Sequence, residues 1–249
     1  MRLGITKKNE KDIQGRFNKV RYPLRLFWVF ALVLLFLMVF LITGGYVVSP
    51  EALVVVSKGD PNKLIKLQGI VVSSNENGTF IITTSGGKLT IQDIGTEVGL
   101  SFSTGLRAKG QVIWIGNPAE EGSRSIGELV VIRTNITAVK HLSLLMDKDF
   151  EKLEGTRADL WGLDANTVKP WGERFGEIVR VSKDNFNFEV EPRLKGGRIG
   201  GLPVTVRKGM STFLAGITFD PQPSEVSGGK NKIVITTAAF RKALEKARK

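Results

Sequence analysis

Residues 64–84 read LIKLQGIVVSSNENGTFIITT, two runs rich in Ile, Val and Thr around the turn Ser74-Asn75-Glu76-Asn77-Gly78. Side chains branched at Cβ suit a pleated strand. A turn ending in Asn-Gly supplies the left-handed backbone that closes a hairpin. The stretch predicts two paired strands, Leu64–Ser73 and Thr79–Thr84. Downstream, Ser85-Gly86-Gly87 turns the chain into Lys88–Ile94, and a glycine-rich crossing leads to Leu106–Ile115. The loop Gly116–Gly127 then gives way to Glu128–Val139, the fifth expected strand. The chain is therefore expected to be mainly β.

The same texture returns later. Phe175-Gly176-Glu177-Ile178-Val179 echoes Leu67-Gln68-Gly69-Ile70-Val71, and Phe186–Glu191 follows a turn at Lys183-Asp184-Asn185. Leu202–Val206 follows the glycine-rich loop Lys195–Gly201. Lys208–Phe219 matches Lys109–Ile115, and Lys232–Thr237 matches Leu129–Thr134. A repeated set of strands implies two similar modules in tandem. Between them, Leu142, Leu145, Met146, Phe150 and Leu153 recur at three- and four-residue steps, which predicts an amphipathic helix over 142–160.

Ahead of the β-rich part, Leu26–Ile42 (LFWVFALVLLFLMVFLI) contains neither charge nor proline. A helix rises about 1.5 Å per residue, so 20-odd residues match a hydrocarbon core of about 30 Å. Trp28 and Tyr46 stand near the two ends, where amphipathic rings favour the interfaces. A cleaved signal peptide is the alternative, but its usual A-x-A-like site is missing. Eight basic and two acidic residues lie in 1–48, every one of them ahead of the apolar run, and the first basic residue after it is Lys58. Lys and Arg stay on the cytoplasmic side, so the expected anchor is single-pass, with the N-terminus inside and the β-rich part in an extracytoplasmic position.

Charge and composition narrow the function. The net charge is +12, but residues 1–48 carry +6 and RKALEKARK at 241–249 carries +4. The remaining +2 does not describe a polyanion-binding face. With no cysteine and one histidine, thiolate metal sites, disulfides and Cys/His zinc centres are excluded. No nucleophile-elbow or phosphate-loop motif occurs, and no enzyme is expected. These motifs point to no cofactor either. Asn77-Gly78-Thr79 and Asn135-Ile136-Thr137 fit the N-glycosylation pattern.

Short strands with a G-x-V-like start, a hairpin and a break before the fourth strand resemble the OB-fold, a small Greek-key barrel. Paired sandwich domains are the alternative, although Ig-type modules need about seven strands. An N-terminal anchor followed by such a barrel also resembles the haem chaperone of cytochrome c maturation. That family attaches haem to a histidine in His-x-x-x-Tyr after the last barrel strand; here His141 holds the position, with Leu145 where the tyrosine would be. The resemblance implies haem at His141.

The expected organisation is a basic tail (1–22), a transmembrane helix (23–48), a stalk (49–63) in which Leu53–Val56 adds an edge strand, and an OB-like domain (64–140). A helical linker (141–170), a second OB-like domain (171–237) and a basic helix (238–249) follow. OB-folds bind on the face of their second and third strands. In the second module Phe186 and Phe188 alternate onto one face, with Arg180, Arg193 and Arg198 nearby in sequence. Aromatic stacking beside basic groups suits single-stranded nucleic acid, while buried Phe side chains suit a barrel core. Expected partners are the lipid bilayer and other membrane or extracytoplasmic proteins; nucleic acid is the alternative.

Overall fold

The computed structural model describes residues 27–35, 52–59, 64–121, 123–192, 201–209, 211–219 and 231–249. The chain divides into two compact units, Met1–Tyr46 and Val47–Lys249. In the first, residues 27–35 are helical with mostly exposed apolar side chains. No helix among the described residues is long and apolar enough to cross a membrane. The rest of the expected span 23–48, and the whole tail 1–22, lie outside the described residues.

The second unit holds two closed barrels of the same topology. The first comprises β1 (Leu53–Lys58), β2 (Ile65–Asn75), β3 (Gly78–Thr84), β4 (Glu97–Phe102), β5 (Arg107–Ile115) and β6 (Leu129–Thr134), in the order β1-β2-β3-β6-β5-β4. The second comprises β7 (Arg157–Leu163), β8 (Pro170–Val181), β9 (Asn187–Pro192), β10 (Pro203–Lys208), β11 (Ser211–Phe219) and β12 (Lys232–Thr236). Its order, β7-β8-β9-β12-β11-β10, repeats the first. Every strand pair is antiparallel. With β4 beside β1, the first four strands form a Greek key, and closure removes free edges.

Each barrel has six strands rather than five. In the first, β1 arises from the expected stalk and β4 from the glycine-rich crossing, while Lys88–Ile94 contains a 3-10 turn, Ile91–Asp93, instead of a strand. In the second, β7 comes from the expected linker 141–170. The amphipathic helix over 142–160 does not form: only Asp147–Phe150 is helical. Its apolar residues have a different use. Leu145, Phe150 and Leu153 enter the second barrel's core, whereas Met146 is 57% exposed. Residues 143–145 run beside β11, with the Leu145 N–H donating to Leu214 O at 2.9 Å and the Leu214 N–H to Ser143 O at 2.9 Å. A three- and four-residue period is met equally by a loop that drops side chains into a barrel mouth.

The repeat also differs by one residue from the match of letters. Val71 pairs with Ile81 just before a bulge in β2, and Ile178 pairs with Val190 just before the corresponding bulge in β8. Ile178 therefore corresponds to Val71, not Ile70, and Gly176 to Gly69. A one-residue slip exchanges the faces of a strand. Ile70 accordingly points away from the core that its neighbour Val71 enters. At Gly176 the backbones approach so closely that an added Cβ would lie 2.0 Å from Glu191 O.

Three apolar clusters result. Val54, Val56, Val71, Ile81, Val130 and Ile132 fill the first barrel. Phe175, Ile178, Phe188 and Val204 belong to the core of the second. Between the barrels, Leu53, Val55, Ile70, Val72, Ile82 and Val131 pack with Leu214, Ile217 and Ile235. The C-terminal helix, Thr237–Ala247, adds Phe240, Ala243 and Leu244 to this third cluster. Polar contacts fix the junction. The Gln68 side chain donates from Nε2 to Leu163 O at 2.7 Å and accepts from the Leu163 N–H at 3.1 Å, taking the place of a strand partner. Lys66 Nζ donates to Ala165 O at 2.8 Å, and Asn187 Nδ2 to Ser125 Oγ at 3.0 Å. The barrels share a core and form one body.

Candidate functional site

A cleft of about 420 Å³ opens at one end of the first barrel. It forms where β3 and β5 end and β6 begins. The Ser85 N–H donates to Glu128 O at 2.8 Å, and the Gly116 N–H to Leu129 O at 2.9 Å, holding the strand ends together. The loop after β5 crosses the turn before β6 in direct contact. A Cβ at Gly116 would lie 2.3 Å from Ile126 O, and one at Gly127 2.5 Å from Pro118 Cα. Leu89, Ile91, Ile115 and Pro118 supply apolar walls, and Glu128 is the only charged lining residue among the described residues. Ser85 Oγ donates to Glu128 Oε2 at 2.8 Å and orients the carboxylate.

The turn that carries Ile91 is tied to β1 by an ion pair between Lys58 and Asp93. The Lys58 ammonium, and then the Thr90 N–H, hold the Asp93 carboxyl below the usual aspartate range. A depressed carboxyl contributes stability above its unfolded pKa of about 3.9, lost as pH falls through the lower folded value. Amide exchange in residues 85–96 should therefore accelerate below about pH 4, ahead of β1–β3. Exchange that stays uniform across these residues at low pH would show that the ion pair does not hold the turn.

A second hollow, about 330 Å³, lies in the second barrel beside the C-terminal helix. Phe186 lines it, half-buried, with Lys242 Nζ 4.9 Å from the ring centroid. Asp147, Asp184 and Glu245 line it together with Arg241 and Lys242, so carboxylates outnumber cations. That sign is wrong for a polyanion groove. Phe188 is fully buried among Val190, Val234 and Phe175 and has no face left for stacking. The structure thus separates the expected aromatic pair: Phe186 lies just before β9, and Phe188 is core. Arg180 is exposed on β8, opposite Glu189. Arg193 and Arg198 lie outside the described residues. His141 is exposed in a loop, and Leu145 is buried in the second barrel's core.

Arg157, Arg174 and Arg207 are exposed on neighbouring strands around the nearly buried Asp159. Arg157 Nε approaches Asp159 Oδ1 to 3.3 Å, close enough for an ion pair but outside hydrogen-bond geometry. Burial raises the Asp159 carboxyl above its ordinary value, and the arginines oppose that shift.

The basic C-terminal helix is not a free cationic face. Arg241 pairs with Asp147 and donates to Leu145 O at 3.1 Å, while Lys246 pairs with Glu121. Arg248 stands over the Phe80 ring at 5.3 Å. These partners come from both barrels, so the charges fix the helix in its seat. Sequence pattern marked this helix as basic and amphipathic; its partners, 90 to 170 residues away in the chain, are set by tertiary structure. The cleft beside Glu128 carried no sequence signal beyond the glycines at 116 and 127. Neither a protein-family model nor a curated protein matches the chain.

Proposed function

We propose that this chain is a single-pass membrane protein whose two barrels act outside the membrane as one non-catalytic binding or assembly module. The carrying observation is the uncharged run Leu26–Ile42 directly behind eight basic residues, in one chain with a two-barrel body. A helix of such residues satisfies its own backbone in lipid, and the basic flank stays inside. The barrels, which we read as OB-like despite the sixth strand, offer concave surfaces suited to recognition. Partners are the bilayer and membrane or extracytoplasmic proteins.

Protease added outside intact cells should remove residues beyond about Val48 while a tag at residue 1 stays protected. Protection of the barrels, with access to the N-terminus only from outside, would overturn the topology. Co-purification from solubilised membranes should yield a stoichiometric protein partner.

A polyanion binder is the second reading, favoured by Arg157, Arg174 and Arg207. Against it stand Asp159 among those arginines and the acidic lining around Phe186. Such binding would weaken steeply with salt through counterion release.

A further inference from the structure

We propose that the cleft at the end of the first barrel takes a basic side chain, a cation on an apolar stem, presented by a partner protein. The proposal deepens the binding-module reading and rests on it. Glu128 is the one charge among the described lining residues, and it is half-buried, so its field is less screened than that of a fully solvated carboxylate. Ser85 holds Oε2 and leaves Oε1 to a donor from a ligand. Such charge-assisted hydrogen bonds are the strong ones.

The walls fit the rest of such a side chain. Leu89 and Ile115 are buried at the base, and Ile91 is 50% exposed at the rim. Lysine and arginine bury their methylene stems along surfaces of this kind and keep the charge at a polar end. The site is preorganised: Gly116 and Gly127 bring two backbones into contact, and the Lys58–Asp93 pair fastens the turn that bears Ile91. Little ordering remains to be done on binding. A volume of about 420 Å³ is of the size that holds small ligands.

The test uses the full chain, labelled with nitrogen-15 in detergent micelles, titrated with Nα-acetyl-lysine N-methylamide. Saturable, millimolar shifts are expected at the amides of Ser85, Ile91, Gly116 and Gly127. Nα-acetyl-norleucine N-methylamide, with the stem but no charge, should bind at least about tenfold more weakly. Glu128→Gln should weaken the lysine probe about tenfold, since a charge-assisted bond is lost. The amide oxygen of Gln still accepts from Ser85, so an unchanged melting temperature is expected. Equal binding of the two probes, undiminished affinity for the lysine probe in E128Q, or no shifts at these amides would each overturn the proposal. The two readings fail separately, because the protease topology does not depend on Glu128 and co-purification is read on the unsubstituted chain.

Discussion

Phe240→Ala is expected to destabilise both barrels together, by about 3–5 kcal/mol. Phe240 is fully buried in the cluster that joins Leu53, Ile70 and Val131 of the first barrel to Leu214 and Ile235 of the second. Truncation there removes transfer free energy and leaves a cavity bounded by both barrels. If each barrel were stable alone, as a tandem repeat by itself suggests, the loss would fall on the second, which is followed directly by the helix. A shared core predicts a single unfolding transition at lower denaturant, with faster exchange in β3 and β6 as well as in β11 and β12. Two separated transitions, or a loss below about 1 kcal/mol, would sink the single-body account. The same reasoning predicts that residues 52–140 expressed alone expose the outer apolar faces of β1, β2, β3 and β6, and associate.

Phe188→Ala should cost a similar ~3–5 kcal/mol of folding stability. Phe188 is fully buried opposite Val181 and Val234. Phe186→Ala should cost less, because Phe186 is only half-buried and its contact with Lys242 is worth about 0.5–1 kcal/mol at such a site. Melting and binding to a single-stranded oligonucleotide are measured on the same preparations. An unfolded F188A with no salt-sensitive binding in the parent removes the base-stacking platform altogether. Retained stability in F188A, with binding lost at low salt, would restore it.

The one-residue slip between Ile70 and Val71 shows which part of the architecture the sequence pattern did not carry: the facing of the strands rather than their places, apart from β4 and β7. Strand signals were clear where a hairpin turn or a repeat marked them, as at Asn75–Gly78 and in β2, β3, β5, β8, β9 and β12. They were weak in β4, where Gly99 interrupts the run, and in β7, whose first residues, 157–160, fall within the stretch expected to be helical. The face of each strand was not legible. A half-buried strand alternates apolar and polar residues, but Leu53–Val56, Ile70–Val72 and Leu129–Ile132 are apolar throughout. An unbroken run of this kind belongs to a strand buried on both sides. In this chain alternate residues of one run enter different cores.

The sequence alone determined a mainly β chain with two repeats, a basic amphipathic terminus and an uncharged apolar run near the start. These follow from composition, from periods shorter than a dozen residues and from the recurrence of one strand pattern about a hundred residues along the chain. Tertiary structure alone decided that the barrels have six strands, that Leu145, Phe150 and Leu153 enter the second barrel's core from a segment that is not one helix, and that a third core unites the barrels. It also decided that Phe188 is interior, that Arg241 and Lys246 of the terminal helix are ion-paired, and that Glu128 is the one charge among the described residues lining a cleft. The reason is physical. Local sequence sets how often a side chain faces one way, whereas what occupies that direction is supplied by residues up to a hundred or more positions distant.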